Sequence, residues 1–309
     1  MADWLTRSPE EHILYDVDVL FGPWPSHPTD SDLATVKSHL ARSHIQNALI
    51  LSTQGALFSD QAGNTETLTA LANTSSSAPP TSRSDQERGP DAAGGGSGGV
   101  PGSSASPTSR AGQVHGAVGA GGGRVAPEQQ GGQPAVGLVP VGTVDLRDAV
   151  GAAEQLDWLV GNGVRCLRLF TGVQGVLGET PAYKYVVGEA VRRGMVLLQD
   201  GDPRRFGEVL AGRGAEVIFL DLHVYLLGDF LLMAKSEPGF RATTRMLSSP
   251  DGIERVVETV GARQLVFGSR TPFMDISPQT LRLRYARISP EDRALIAGGN
   301  MKALLEKAV

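Results

Sequence analysis

The sequence predicts an α/β fold, a single (β/α)8 TIM barrel with a long disordered insertion between strand 2 and strand 3. Three observations predict it. Eight short β-branched or apolar runs alternate with helix-like stretches, the pattern of a parallel sheet. Outside one low-complexity segment about 250 residues remain, the usual size of such a barrel. Glycines close several of the helix-like stretches just before the next apolar run, where a left-handed C-terminal cap wants no Cβ.

The eight runs are HILYDVDVLF, QNALILST, AVGLVPVGTV, VRCLRLF, MVLLQDG, VIFLDLHV, FRATTRM and QLVFGSR. Helix-like stretches lie between them, among them SDLATVKSHLARSH, DAVGAAEQLDWLVGNG, PAYKYVVGEAVRRG and PDGIERVVETVG. Two more, TLRLRYARI and SPEDRALIAGGNMKALLEKAV, follow the eighth run. The closing glycines are Gly163, Gly194, Gly214 and Gly261. Ser249-Pro250 and Ser289-Pro290 each place a capping oxygen before a proline at the first helical position. Glu291 and Asp292 put negative charge on the first turn of the last helix, where the helix dipole favours it.

Residues 1–73 and 135–309 supply the barrel, and 74–134 the insertion. Fifteen of the chain's 39 glycines fall in the insertion, which contains no Leu, Ile, Phe, Tyr, Trp or Met. Such a segment buries too little apolar area to offset the entropy of ordering its backbone. It reads as a Gly/Ser-type tether, a surface loop expanded at small cost in closure entropy. A partner-binding arm is the functional alternative.

Composition bounds the function. Of the 309 residues 40% are hydrophobic and 20% charged, as in a globular protein. A net charge of −5 argues against nucleic acid as a partner. One cysteine, Cys166, excludes an internal disulfide and a multi-cysteine metal site. The opening MADWLTRSPEEH has no apolar core of signal-peptide length, and no run approaches the ~20 apolar residues of a membrane span. The expectation is a cytoplasmic protein that neither enters nor anchors to membrane. Apolar residues on the outer helices leave a homo-oligomer open.

Barrel active sites form at the C-terminal ends of the strands. Those positions hold Asp16, Asp18, Leu20 and Gly22 on the first run, Arg168 on the fourth, Gln199 and Asp200 on the fifth, Asp221 and His223 on the sixth, then Arg245 and Arg270. Charged residues inside apolar runs need partners. Mutual Asp–Arg salt bridges would account for all of them. The loop Gly22-Pro23-Trp24-Pro25 follows the first run, and its two prolines favour Trp24 as a cover or lining of the mouth.

ILYDVDVLFGPWP, GVRCLRLF, PDGIERVVETVGARQLVFGS, LVFGSRTPF and ISPEDRALIAGGNMKALL together resemble the opening strand, middle and closing elements of amidohydrolase-related barrels. The resemblance covers nearly all of the chain outside the insertion. It implies a chemistry that normally depends on a divalent metal held by histidines on strands 1, 5 and 6, with an aspartate on strand 8. Position by position, Asp18 and Leu20 stand for the paired strand 1 histidines, Gln199 for strand 5, His223 for strand 6 and Arg270 for the aspartate. Leucine cannot ligate, and an arginine repels a dication. One histidine and one carboxylate fall short of the three protein ligands of a catalytic zinc. The other histidines, His12, His27, His39, His44 and His115, do not replace them.

The resemblance therefore implies a divergent member with no metal and no other cofactor. Three functions follow. One is a non-catalytic barrel binding a small anionic molecule or a protein partner. Another is a metal-independent hydrolase or lactonase, with Asp18, Asp200 and His223 as catalytic acid–base groups and Arg168, Arg245, Arg270 and Trp24 binding an anionic ester or lactone. A metal hydrolase with rearranged ligands ranks last.

Replacing residues 76–132 by a short Gly/Ser link is expected to leave the melting temperature nearly unchanged. A loss above about 2 kcal/mol would mean that the insertion packs on the barrel.

Overall fold

β-branched and apolar runs become strands, and the eight strands form one parallel sheet in the order β1 to β8. They are β1 (Ile13–Phe21), β2 (Ile45–Ser52), β3 (Gly137–Thr143), β4 (Cys166–Leu169), β5 (Val196–Gln199), β6 (Val217–Phe219), β7 (Phe240–Thr243) and β8 (Leu265–Val266). The computed structural model describes residues 13–25, 31–76 and 135–308. The insertion from residue 77, with His115, lies outside these residues, as do His12 and His27.

Helices connect the strands: α1 (Leu33–Arg42), α2 (Thr53–Leu57), α3 (Asp60–Ser76), α4 (Ala152–Gly161), α5 (Thr171–Gln174), α6 (Pro181–Arg192), α7 (Pro203–Leu210), α8 (Leu227–Ser236), α9 (Gly252–Val260), α10 (Ser277–Tyr285), α11 (Pro290–Ala294) and α12 (Asn300–Lys307). α3 runs a turn past the boundary expected at residue 73. Side chains alternate along each strand, so two apolar clusters form. Ile50, Leu167, Leu197, Phe219 and Leu265 face the helices. Val17, Leu49, Val141, Cys166, Val196 and Ile218 fill the barrel interior. Burial pushes the Cys166 thiol up to about 12, which makes it inert as a nucleophile.

The seam between β8 and β1 is closed by backbone bonds, Val17 N to Phe267 O at 3.1 Å, Leu20 N to Thr271 O at 3.0 Å and Arg270 N to Asp18 O at 2.8 Å. The interior is sealed at its lower end by α12, whose Met301 and Leu304 join the interior cluster. Asn300 Nδ2 donates to the carbonyls of Ala262 and Leu265, both at 2.8 Å, tying that helix to the start of β8.

The expected caps are partly formed. Gly163, Gly194 and Gly214 have φ of +78°, +67° and +64°, as left-handed caps require. Ser289 accepts from Asp292 N at 3.0 Å. Ser249 does not cap. α9 begins three residues later, at Gly252, and the buried Ser249 Oγ has no hydrogen-bond partner among the described residues. The pre-proline position holds Ser249 in a turn rather than at the helix edge.

Insertion and mouth lie at opposite ends of the fold. Asp60, the first residue of α3, accepts from Asp145 N just past the C-terminal end of β3. α3 then runs back along the barrel, and β3 starts at Gly137, opposite Asn47 near the beginning of β2. The chain thus leaves and rejoins the barrel at the strands' N-terminal side. Among the described residues no helix is long and apolar enough to cross a membrane.

Candidate functional site

β1 carries the site's first two carboxylates, and an irregularity separates them. Asp16 pairs with Ala48 and Val19 with Ile50, so three steps on β1 match two on β2. This is a β-bulge, which breaks side-chain alternation and re-aims its residues. Asp16 and Asp18 therefore do not share partners, as a regular strand would have them do. Asp16 turns to β8's end, where it accepts from Ser269 N at 3.0 Å and Ser269 Oγ at 2.5 Å. Asp18 turns to the barrel mouth.

There Asp18 meets three guanidiniums. Arg168 Nη1 lies 2.9 Å from Oδ1, and Arg270 Nε lies 3.0 Å from Oδ2. Arg245 Nε is 3.2 Å from Oδ2 but is not aimed to donate a hydrogen bond. Two further carboxylates complete the cluster. Asp200 pairs with Arg168 Nη2 at 3.0 Å and Arg270 Nη2 at 3.2 Å. Asp221 pairs with Arg245 Nη2, and with Arg270 Nη2 at 3.1 Å. Three arginines face three aspartates, so the cluster is internally neutral.

Each arm of the cluster is fixed by its element. Arg168 points inward from β4, with its carbonyl held by Thr143 Oγ1 at 2.9 Å and its guanidinium 4.7 Å over the Phe170 ring. Arg245 stands just past β7, and its Nη2 also donates to Leu220 O at 3.0 Å. Arg270 has φ +66°, rare for a residue with a Cβ, and the bond from its N–H to Asp18 O holds it there. Asp221 Oδ2 accepts from Gly201 N at 2.7 Å. Arg168 and Asp18 are sealed at the floor, whereas the Arg270 and Asp221 side chains are 19% and 31% exposed and form the open edge.

Burial sets the electrostatics. It would raise the Asp18 pKa, but Arg270, Arg168 and Arg245 overcome it and hold the carboxyl well below the usual range. Asp200 goes the other way: burial raises it, only partly opposed by Arg168 and Arg270. Burial likewise lowers the Arg270 pKa, but Asp18, Asp200 and Asp221 outweigh it and raise the net value, so the guanidinium stays charged. Asp16, with no guanidinium beside it, is pushed by burial up to about 7 against the bonds from Ser269.

The structure joins Asp18, Asp200, Arg168, Arg245 and Arg270, five of the residues expected from the sequence, and adds Asp221. Two positions differ from the resemblance-based reading. Gln199 faces the outer layer, where its Oε1 accepts from Tyr183 OH at 2.6 Å, so the mouth residue after β5 is Asp200. His223 lies beyond the end of β6, where its Nδ1 accepts from Tyr225 N at 3.3 Å and its ring stacks on Tyr225 at 4.6 Å. Among the described residues it makes no ion pair with the cluster. Leu20 packs in the interior, opposite Leu51. Trp24 is half-buried, its ring 5.7 Å from that of Phe273 on the loop after Arg270, which places it beside the ends of β1 and β8. Asp221 was visible as a strand-end residue. β6 stops at Phe219, though, so alternation does not carry on to His223.

A dication does not fit this arrangement. Each carboxylate is within ion-pair distance of a guanidinium, and a metal ion set among them would adjoin three fixed positive charges. Among the described residues no three His, Cys, Asp or Glu are grouped to hold a metal.

No protein-family model matches the chain, and no curated protein matches it. Solved structures do match in fold. An uncharacterized TIM-barrel protein from Bordetella bronchiseptica superposes with a TM-score of 0.62 and 13% identity, over 96% of this chain and 99% of that one. The probable 2-pyrone-4,6-dicarboxylic acid hydrolase from Acinetobacter baumannii, with citric acid bound, gives 0.59 and 10%, over 95% and 99%. A variant of the 5-carboxyvanillate decarboxylase from Novosphingobium aromaticivorans, with bound manganese and 3-methoxy-4-hydroxy-5-nitrobenzoic acid, gives 0.59 and 8%, over 96% and 98%. The chain has the barrel fold of these decarboxylases and hydrolases.

Two predictions follow from the charges. Arg270→Leu leaves two arginines against three aspartates and is expected to destabilise the fold by about 2–4 kcal/mol. Asp18 keeps Arg168 and Arg245, so it is not left unpaired; the loss comes from a net buried negative charge. Adding Asp18→Asn restores two against two and should recover part of the loss in urea melts. A double variant less stable than the sum of the singles would refute this pairing.

Asp16 predicts a pH dependence. Its folded pKa, about 7, lies above the unfolded value near 3.9, so the folded state holds the extra proton between them. The stabilisation is complete below pH ~4 and is lost as pH rises toward ~7, by a few kcal/mol at most. Asp16→Asn, which mimics the protonated form, should flatten this slope. Equal slopes in parent and variant between about pH 5 and 8 would show that Asp16 titrates as an ordinary carboxylate.

Proposed function

We propose that the chain is a divergent amidohydrolase-related barrel with a degenerate metal site, which binds a small anionic molecule at its mouth without metal-dependent catalysis. One observation carries the reading: three guanidiniums are interleaved with three carboxylates where the resemblance implies a dication. Asp18 and Arg168 make the sealed floor. Arg270 and Arg245 make the edge an incoming anion would meet, since both are paired there with Asp221, the most exposed carboxylate of the cluster. A ligand carboxylate can replace Asp221 on the same donors, one anion exchanging for another in the two-point contact that arginine favours. Trp24 and Phe273 offer an apolar flank for the rest of such a ligand. The citric acid bound to the Acinetobacter barrel shows the chemical class to test first.

A metal-independent hydrolase or lactonase draws less support. A general base needs a pKa near the working pH, and Asp18 is held far below it. His223 is turned to Tyr225.

Metal analysis and thermal shift test the proposal together. The purified protein should hold well under one equivalent of Zn, Mn or Fe, and chelators should leave its Tm unchanged. Citrate should raise Tm in the parent and not in Arg270→Leu. Stoichiometric metal at a site including His223, or the failure of every carboxylate tried to raise Tm, would overturn it.

A further inference from the structure

Away from the mouth, the start of β1, the end of α1 and helices α10 and α11 enclose a cavity of about 530 Å³. That volume lies within the ~300–1,000 Å³ of small-molecule sites. Its wall divides by chemistry. Ile13, Ile276 and Leu283 are buried and form an apolar side, extended by Leu281. Arg42, His44 and Arg284 bring basic side chains to the opposite rim, and no aspartate or glutamate is among the described lining residues.

Two features make the wall a fixed shape. Arg293 donates from Nε to Leu283 O at 3.2 Å and from Nη2 to Ala286 O at 2.9 Å, which locks the corner between α10 and α11. Ile13 N donates to His44 O at 3.2 Å, which ties the start of β1 to the turn carrying the basic rim. A second hollow of about 370 Å³ shares Arg42, Ser43, Ile276 and Ser277 with the first. It runs on to Thr271 and Met274, in the loop that follows Arg270. The two hollows make one trough, apolar within and basic at its edge.

We propose that this trough binds an amphipathic organic anion, a carboxylate or sulfonate head on a chain or ring. The apolar side removes the body of the ligand from water, and the basic rim meets the head with charge-assisted hydrogen bonds. A neutral amphiphile satisfies only the first condition. An inorganic anion satisfies only the second. This site is separate from the barrel mouth and does not depend on the function proposed for it.

The test uses the full chain and 8-anilinonaphthalene-1-sulfonate as a fluorescent probe. Binding should saturate at about one probe per chain, with decanoate displacing it about tenfold better than decanol. Arg42→Glu and Leu281→Glu should each weaken probe binding by about tenfold or more. Both side chains are exposed, Leu281 by 47%, so circular dichroism and Tm should stay those of the parent. Asp221→Asn, at the mouth, should leave probe affinity unchanged. Failure to saturate, equal competition by decanol, or loss of affinity in Asp221→Asn with none in the two flank variants would each overturn the assignment.

Discussion

Asp18 is a carboxylate with no access to water, kept ionised by three guanidiniums from β4 and from the loops after β7 and β8. A buried charge is tolerable only when it is paired and hydrogen-bonded. The requirement runs both ways: Arg168, equally buried, needs Asp18 and Asp200 as much as they need it. The cluster therefore stands or falls as a unit. It joins strands on opposite sides of the barrel, because its members come from β1, β4, β5, β6, β7 and β8. The mouth is cross-linked by charge at the level where barrel enzymes keep an opening for substrate.

Much of the barrel was legible in the residues. All eight apolar runs became strands, since β-branched residues bounded by glycine and polar turns leave few alternatives. Arg168, Asp200, Arg245 and Arg270 were legible as mouth residues because each sits at the end of such a run. What alternation could not supply was the facing of residues where regular strand ends. Gln199 and Asp200 are neighbours, and only the register of Gln199 with Leu169 and Phe219 shows that the glutamine faces the helices. Ser249 resembled a cap, but α9's start was decided by the turn before it. The bulge in β1 left no mark in composition at all.

The fold likeness and the mouth pull in different directions. Solved barrels that superpose over nearly the whole chain include one with manganese and one with citric acid. At 8–13% identity the shared property is the barrel, and function resides in the side chains placed on it. Here those side chains neutralise each other. The insertion, which leaves and rejoins at the strands' N-terminal side, is attached far from that chemistry, so its length and the make-up of the mouth can vary separately.

The bulge in β1 has a consequence for how this chain is compared with others. A bulge is one residue inserted into a strand, so residues before Val17 keep one phase of the in–out alternation and residues after Asp18 keep the other. An ungapped alignment to a barrel with a regular first strand can match the Tyr15 end or the Leu20 end, never both. Equating residues across this strand requires a gap at Val17 or Asp18, in the very strand from which the ligand correspondence is read. Three-dimensional superposition tolerates that gap, whereas a string of letters hides it.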